Sequence, residues 1–246
     1  MSDSLSSSSA LQSAEAAQAR GMDAQLARWR ELVAGPGRRL GWKIGFNDRA
    51  SQERLGLREP VIGFLHREAR LASGDTFRAP PGSSLKVEME IALRIGRDVA
   101  ADASADESEA AIVALAPAFE VVDVTHPLEG LEALLRGNLY HAAVVIGPES
   151  GAVPKDPRRA IHGRLRTESG VVREVAAQRL PERFGNFVRV VAATLGRHGE
   201  RLCAGDWIIC GSIVEPLVVE PGHHIHGEIA SLAPISLAIG AQARPG

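Results

Sequence analysis

The sequence predicts an α+β fold with much mixed sheet, and three observations predict it. Segments with helical periodicity lie mainly in the first half of the chain, while short apolar runs of strand character dominate the second. The two kinds of segment do not alternate as a doubly wound parallel sheet requires. The clearest pattern is itself a strand: across Lys86–Ile95, Val87, Met89, Ile91, Leu93 and Ile95 share one face, and Lys86, Glu88, Glu90, Ala92 and Arg94 share the other.

Taken in order, residues 1–9 are polar and serine-rich and read as a disordered tail. Residues 10–246 read as one domain, with a helical part over 10–60 and a β-rich core over 61–246. Leu11, Met22, Leu26, Trp29, Leu32 and Val33 mark a helix from about Ala10 to Val33, which Gly35-Pro36-Gly37 ends. Leu40–Gly45 is a short glycine-bounded strand. Asn47 is the expected cap of a helix that runs to Leu55 and closes at Gly56. Ile62–Leu65 follows as a strand. After Lys86–Ile95, an acidic first turn predicts a helix over Asp106–Ala116, and Pro117 opens a strand over Ala118–Val124. Glu129–Arg136 reads as a short helix and Ala142–Ile146 as a buried strand. Arg164–Thr167 and Val171–Val175 flank Glu168-Ser169-Gly170 as a hairpin. A second substantial helix covers Arg183–Arg197. The remainder is β-like: Trp207–Cys210, Leu217–Val219, His224–Ile229 and Ile235–Ile239.

Composition narrows the function classes. With 246 residues the chain can bury a sizeable core. A formal net charge of −2 gives no electrostatic case for nucleic acid or an acidic membrane surface. No apolar run approaches the length that spans a bilayer. The N-terminus lacks the basic start and apolar stretch of a secretory signal, so a cytoplasmic location is expected. Cys203 and Cys210 form neither a disulfide framework nor a zinc spacing, and read as small thiols in a reducing compartment.

The chemistry concentrates in carboxylates. Glu88 and Glu90, two apart on a strand, point to the same face. Side by side they repel unless a cation or proton compensates. A hard divalent cation such as Mg²⁺ or Mn²⁺ suits them, because it prefers oxygen ligands. Taken alone, such a pair is more often a solvated strand face. Glu120 supplies a third carboxylate, set among apolar residues where an unpaired charge is expensive. Asp123, three residues on, falls on the opposite face and reads as a strand-end contact. Lys43, between Trp42 and Ile44, can offset carboxylate charge, hold a substrate carboxylate or move protons.

Other candidates read as structural or surface features. His66 follows a strand and is the residue that would activate water in a hydrolase. His224 and His226 share a strand face with no carboxylate or cysteine nearby to complete a metal site. Ser83, Ser84 and Ser212 form no nucleophile elbow, and Gly96 and Gly147 no nucleotide fingerprint.

Several motifs carry a resemblance to a known family. Gly41-Trp42-Lys43-Ile44-Gly45 resembles its G-[YRW]-K-I-G element. Lys86-Val87-Glu88-Met89-Glu90-Ile91-Ala92 resembles K-V-E-x-E-I-A, and Ala118–Asp123 resembles A-[LF]-E-[IV]-[IV]-D. Asn138 with Val144–Gly147 is similar to an asparagine and the strand after it. Leu202–Ser212 looks like L-x-A-G-D-x-[IV]-x-x-G-S. Together these span roughly Leu40–Ile239 and resemble the 2-keto-4-pentenoate hydratase and 4-oxalocrotonate decarboxylase branch of the fumarylacetoacetate hydrolase superfamily.

The resemblance implies a mixed β-roll, barrel-like core with flanking helices and a single catalytic domain. It implies Mg²⁺ or Mn²⁺ held by Glu88, Glu90 and Glu120, a catalytic or substrate-binding Lys43, and Asn138 as a substrate-binding residue. The reaction implied is that of a hydratase-like lyase acting on a small 2-keto acid through a metal-stabilised enolate, in a homo-oligomer. The alternatives are a C–C bond hydrolase of acylpyruvate type, a 2-oxo acid decarboxylase, or a non-catalytic keto-acid-binding module that retains the metal. Three departures point to an unusual substrate: the stretch before Gly41 is short and lacks the family's usual tyrosine-glutamine helix element, and two more lie further on. Val61 stands where the hydratases carry an acid, and Arg136–His141 replaces their run of small residues.

Overall fold

In the computed structural model, residues 2–242 are described, with side chains from residue 15 onward. The chain opens with α1 (Ser2–Leu32), then β1 (Arg39–Gly45), α2 (Arg49–Leu55), β2 (Val61–His66), β3 (Arg70–Leu71) and β4 (Thr76–Ala79). Its middle holds β5 (Leu85–Ile95), α3 (Ala105–Glu109), β6 (Ile112–Asp123), α4 (Gly130–Arg136) and β7 (His141–Ile146). The remainder is α5 (Pro157–Ala160), β8 (Gly163–Thr167), β9 (Val172–Glu174), α6 (Phe184–Arg197), β10 (Trp207–Ile209), β11 (Leu217–Val219), β12 (His224–Ile229) and β13 (Ile235–Ala241).

Two mixed sheets result, as an α+β chain without regular alternation requires. The first runs β2-β1-β10-β5-β6-β7-β3, with β11 also paired to β5; the second runs β4-β13-β12-β8-β9. Parallel pairing occurs between β1 and β10, β3 and β7, and β4 and β13. The long strand β5 lies along β6 from Leu85↔Asp123 to Leu93↔Leu115. Its other edge is shared by β10 and β11, and between them the chain from Cys210 to Ile213 leaves the ladder, still tied by Cys210 N–H to Ile91 O and Ile213 N–H to Met89 O.

The odd face of β5 builds the main core, where Val87, Met89, Ile91, Leu93 and Ile95 are all fully buried. The even face carries a smaller cluster that includes Ala92, Ala116, Ala118, Val144 and Ile209. At one side, Trp29 of α1 meets Trp42 of β1 with ring centroids 4.9 Å apart. The Arg39 guanidinium lies over both rings and forks onto Asp206 at 2.6 and 2.5 Å. Asp206 also accepts from Trp42 Nε1, so the pair ties α1, β1 and the turn before β10 together.

Several elements differ from expectation. α1 extends over residues 2–9, where a disordered tail was expected; serine costs a helix only a few tenths of a kcal/mol and no glycine or proline interrupts before Gly21. The cap of α2 is Asp48, whose side chain accepts from Ser51 N–H; Asn47 instead donates to Cys210 O. The helix expected over 106–116 stops at Glu109 despite its Ser104–Glu107 capping box. From Ile112 the chain pairs with the far half of β5, and that pairing outweighs the helical preference of Ala111, Ala114 and Ala116. Pro117, expected to open a strand, sits inside β6 opposite Ile91.

Candidate metal centre

The site forms on the even face of β5, where period-two geometry puts Glu88 and Glu90 side by side. Glu88 lies directly opposite Glu120 on β6, and Glu90 opposite Ala118. Glu90 and Glu120 are 0% and 1% exposed. One oxygen from each of Glu88, Glu90 and Glu120 lies within 4.8 Å of the others. Asp123 stays outside, accepting from Thr125 as a strand-end turn contact.

Lys43 reaches the same spot from β1, across β10. Its side chain is buried, its Nζ donates to Glu120 Oε1, and it donates to Leu139 O at 3.2 Å. Glu90 Oε2 accepts from Gly211 N–H at 2.7 Å, where the chain leaves β10. Glu90 Oε1 is buried without a partner among the described residues.

The electrostatics follow from burial and crowding. Burial, reinforced by the charge of Glu120, pushes Glu88 up to about 7. Burial pushes Glu90 well above the usual carboxylate range, with Glu120 and Glu88 adding to it. Burial would raise Glu120 too, but the charge of Lys43 and the hydrogen bond from His141 outweigh it and hold this carboxyl low. Fully ionised, three carboxylates against one ammonium would leave two charges uncompensated, which one divalent cation would balance. An orphaned buried oxygen and an all-oxygen donor set fit a hard divalent cation.

Lys43, Glu88 and Glu120 line a cavity of about 360 Å³ together with Lys86, Arg54 and Arg179. Three residues read from sequence stand elsewhere. Asn138 is committed to the backbone of β2: Oδ1 accepts from Phe64 N–H at 2.8 Å and Nδ2 donates to Phe64 O at 3.0 Å. A side chain with both amide ends engaged braces the fold and does not line the cavity. His66 is at the end of β2 beside Arg39 and is not among the cavity-lining residues. Val61 is buried in the apolar core, 2% exposed.

Sequence reasoning missed His141, whose Nδ1 is 2.7 Å from Glu120 Oε1. Its only sequence signal is a histidine at the start of a buried strand. Leu139 O and Gly211 N–H were missed as well, because backbone contacts leave no trace in residue type.

Fold and site together define a class: an α+β protein whose mixed sheet carries a buried, oxygen-rich centre beside a lysine. The chain belongs to the fumarylacetoacetate hydrolase family, whose C-terminal domain model matches residues 40–239. It is 26% identical over 210 residues to a 4-oxalocrotonate decarboxylase from a Pseudomonas species, covering 82% of this chain and 78% of that one. It is 27% identical over 205 residues to a 2-keto-4-pentenoate hydratase from Dechloromonas aromatica, covering 81% and 78%. A solved 4-oxalocrotonate decarboxylase from Pseudomonas putida, complexed with magnesium and adipate, superposes with a TM-score of 0.77 at 21% identity over 87% of this chain and 83% of that one. The core is therefore of the fumarylacetoacetate hydrolase type, as the motifs implied.

Proposed function

We propose that this chain is a divalent-metal-dependent, hydratase-like lyase that acts on a small 2-keto acid through its enolate, with residues 10–246 as one catalytic domain. The observation that carries the reading is the convergence of Glu88, Glu90 and Glu120 within 4.8 Å on one sheet face, with Lys43 bonded to Glu120. The hydratase and decarboxylase named among its relatives support it.

Glu88, Glu90 and Glu120 would hold the cation, Mg²⁺ or Mn²⁺. When bound, it supplies a Lewis acid for the keto oxygen and charge to stabilise the enolate. Lys43 spends two N–H donors on Glu120 and Leu139 and has a third for the cavity it lines. That donor orients the substrate carboxylate or moves the proton at C3. Lys86, Arg54 and Arg179 make the walls attractive to an anion. Val61 offers no proton, so the later proton transfer of a hydratase falls to Lys43 or to water. Catalysis of hydration is then weak, since one missing acid–base group costs on the order of 10²–10⁴-fold.

A second reading, decarboxylation of a 2-oxo diacid, is favoured by the structural likeness to the decarboxylase. Carbon dioxide release from such a diacid, against water addition to a dienoate, separates the two. His66, the residue that would separate a hydrolase from the lyase readings, does not line the cavity.

The test is exchange of C3 protons of 2-ketopentanoate in heavy water, followed by NMR. Exchange should require Mg²⁺ or Mn²⁺ and vanish in Lys43→Ala. Absence of exchange with metal present, or exchange that survives chelation, sinks the enolate reading in favour of a binding module. We also take the protein to be a cytoplasmic homo-oligomer; a light-scattering mass of 26.1 kDa at micromolar concentration refutes the assembly.

A further inference from the structure

The segment Asn138–His141 does more than connect α4 to β7. Asn138, Leu139 and Tyr140 are three consecutive non-glycine residues in the left-handed region, with φ of 51°, 53° and 64°. Each such residue is costly for an L-amino acid, and a run of them persists only where the surroundings enforce it. Here Asn138 grips the backbone of Phe64, and Tyr140 Oη accepts from Leu128 N–H at 2.8 Å. The strained turn presents Leu139 O to Lys43.

A second irregularity follows at once. Along β6 and β7, Glu120 pairs with Val144 and Val121 with Ala143, but Val122 pairs with His141, so the register shifts by one residue. In an unbroken ladder His141 would lie opposite Asp123, with its side chain on the face away from Glu120. The bulge moves it opposite Val122, onto the Glu120 face and within diagonal reach of it.

The result is a contact of Nδ1 with Glu120 Oε1 at 2.7 Å, between side chains 2% and 1% exposed. Glu120 is the acceptor, so Nδ1 carries the proton. The other ring nitrogen, Nε2, is buried and has no partner among the described residues. The imidazole thus has one polar contact, and it is to the carboxylate of the candidate metal centre. Lys43 and His141 both engage Oε1, which leaves Oε2 without a protein hydrogen bond among the described residues.

We infer that His141 is a positioning residue for the metal centre: from the strained turn and the bulge, its Nδ1–H fixes the Glu120 carboxylate so that Oε2 is presented to the cation. This inference rests on the proposed metal site. Residues that hold a ligand by its second atom typically contribute 10–100-fold to metal affinity.

The test is Mn²⁺ titration calorimetry on the full chain, comparing the unaltered protein with His141→Ala, His141→Asn and His141→Gln, each checked for fold by circular dichroism. Asparagine places an N–H donor near the position of Nδ1, whereas glutamine places it near Nε2. The expected result is a loss of about 10–100-fold in affinity for His141→Ala and His141→Gln, with His141→Asn within a few-fold of the unaltered protein. If His141→Ala does not fold, the contrast between Asn and Gln decides the same question. Equal affinity in every variant, even with a lowered melting temperature, gives His141 a packing role and overturns the inference. So does an Asn variant that falls as far as Gln. Failure of the unaltered protein to bind Mn²⁺ refutes the metal site itself and this inference with it, an outcome distinct from the other two.

Discussion

Glu90 is the residue whose surroundings ask most plainly for a cation. It is fully buried, one oxygen is held by Gly211 N–H, and the other has no partner among the described residues. Glu90→Gln keeps the shape and removes the charge. It should weaken Mn²⁺ binding by at least about 100-fold, read by titration calorimetry, because losing a ligand exceeds the loss from a supporting group. Unchanged affinity would remove Glu90 from the site. The pH dependence follows from Glu88, pushed up to about 7 by burial and by Glu120. A carboxyl whose folded pKa lies above its unfolded value stays protonated in the native state while the unfolded chain ionises. Glu88 should therefore make the metal-free protein less stable as pH rises from about 4.5 to about 7, and Glu90, held well above the usual carboxylate range, adds a loss of the same sign. Metal affinity should rise over the same window, since the cation displaces the Glu88 proton. Denaturant melts and metal titrations at pH 5.5, 6.5 and 7.5 check both signs. Part of this site was legible at the residue level: strand phase alone puts Glu88 and Glu90 on one face, and Glu120 and Lys43 stand out as charged residues within apolar strands. His141 was not, because its orientation depends on a one-residue bulge that no local pattern of side chains announces.

At the level of elements, the sequence was most readable where burial alternates over many residues. Lys86–Ile95 appears as β5 with its polar and apolar faces as predicted, because period-two patterning over ten residues has no helical equivalent. The segment from Ile112 to Ala116 was misread because alanine-rich stretches fit either state, and only the partner strand decides. β3 and β4, of two and four residues, are too short to carry a pattern and are set by pairing with β7 and β13. Two substitutions test how elements hold the site. Gly41 of β1 has φ of +150°, and a Cβ there would stand 2.0 Å from Trp207 O. Gly41→Ala should pry β1 from β10 and cost about 2–4 kcal/mol in urea melts. Lys43, two residues on, should lose its alignment with Glu120. Val61→Asp was attractive from the sequence as a way to restore a hydratase acid. Val61 is buried among apolar side chains, so the substitution places an unpaired carboxylate in the core. The expected outcome is a loss of about 2–4 kcal/mol with no gain in hydration; a stable variant that hydrates a dienoate faster would show that the carboxylate reaches the cavity.

At the level of the whole molecule, the metal centre and the fold are thermodynamically coupled. Glu88 and Glu90 are raised by burial and by their acidic neighbours, which means that the native state without a cation holds carboxyls it would rather not ionise. The three acids come from β5 and β6, the longest pair in the larger sheet, and Lys43 comes from β1 beyond β10. No such site exists in an unfolded chain, so a cation that binds there binds the native state alone. Mass action then stabilises the fold by about 2.7 kcal/mol at a free metal concentration 100 times Kd. For a chain of 246 residues each kcal/mol moves the melting temperature by roughly 2–4 °C. Saturating Mg²⁺ or Mn²⁺ should therefore raise it by about 5–10 °C at pH 7.5. The shift should shrink at pH 5.5, where the proton on Glu88 competes with the cation. It should be nearly absent in Glu90→Gln, whose metal-free form meanwhile carries one fewer buried acid. Calorimetric scans with and without chelator, at both pH values, measure it. An equal shift in Glu90→Gln would assign the stabilisation to ions bound elsewhere on the surface. No shift at all in the unaltered protein, with metal present at millimolar concentration, would mean that the three carboxylates are held together by shared protons and not by a cation.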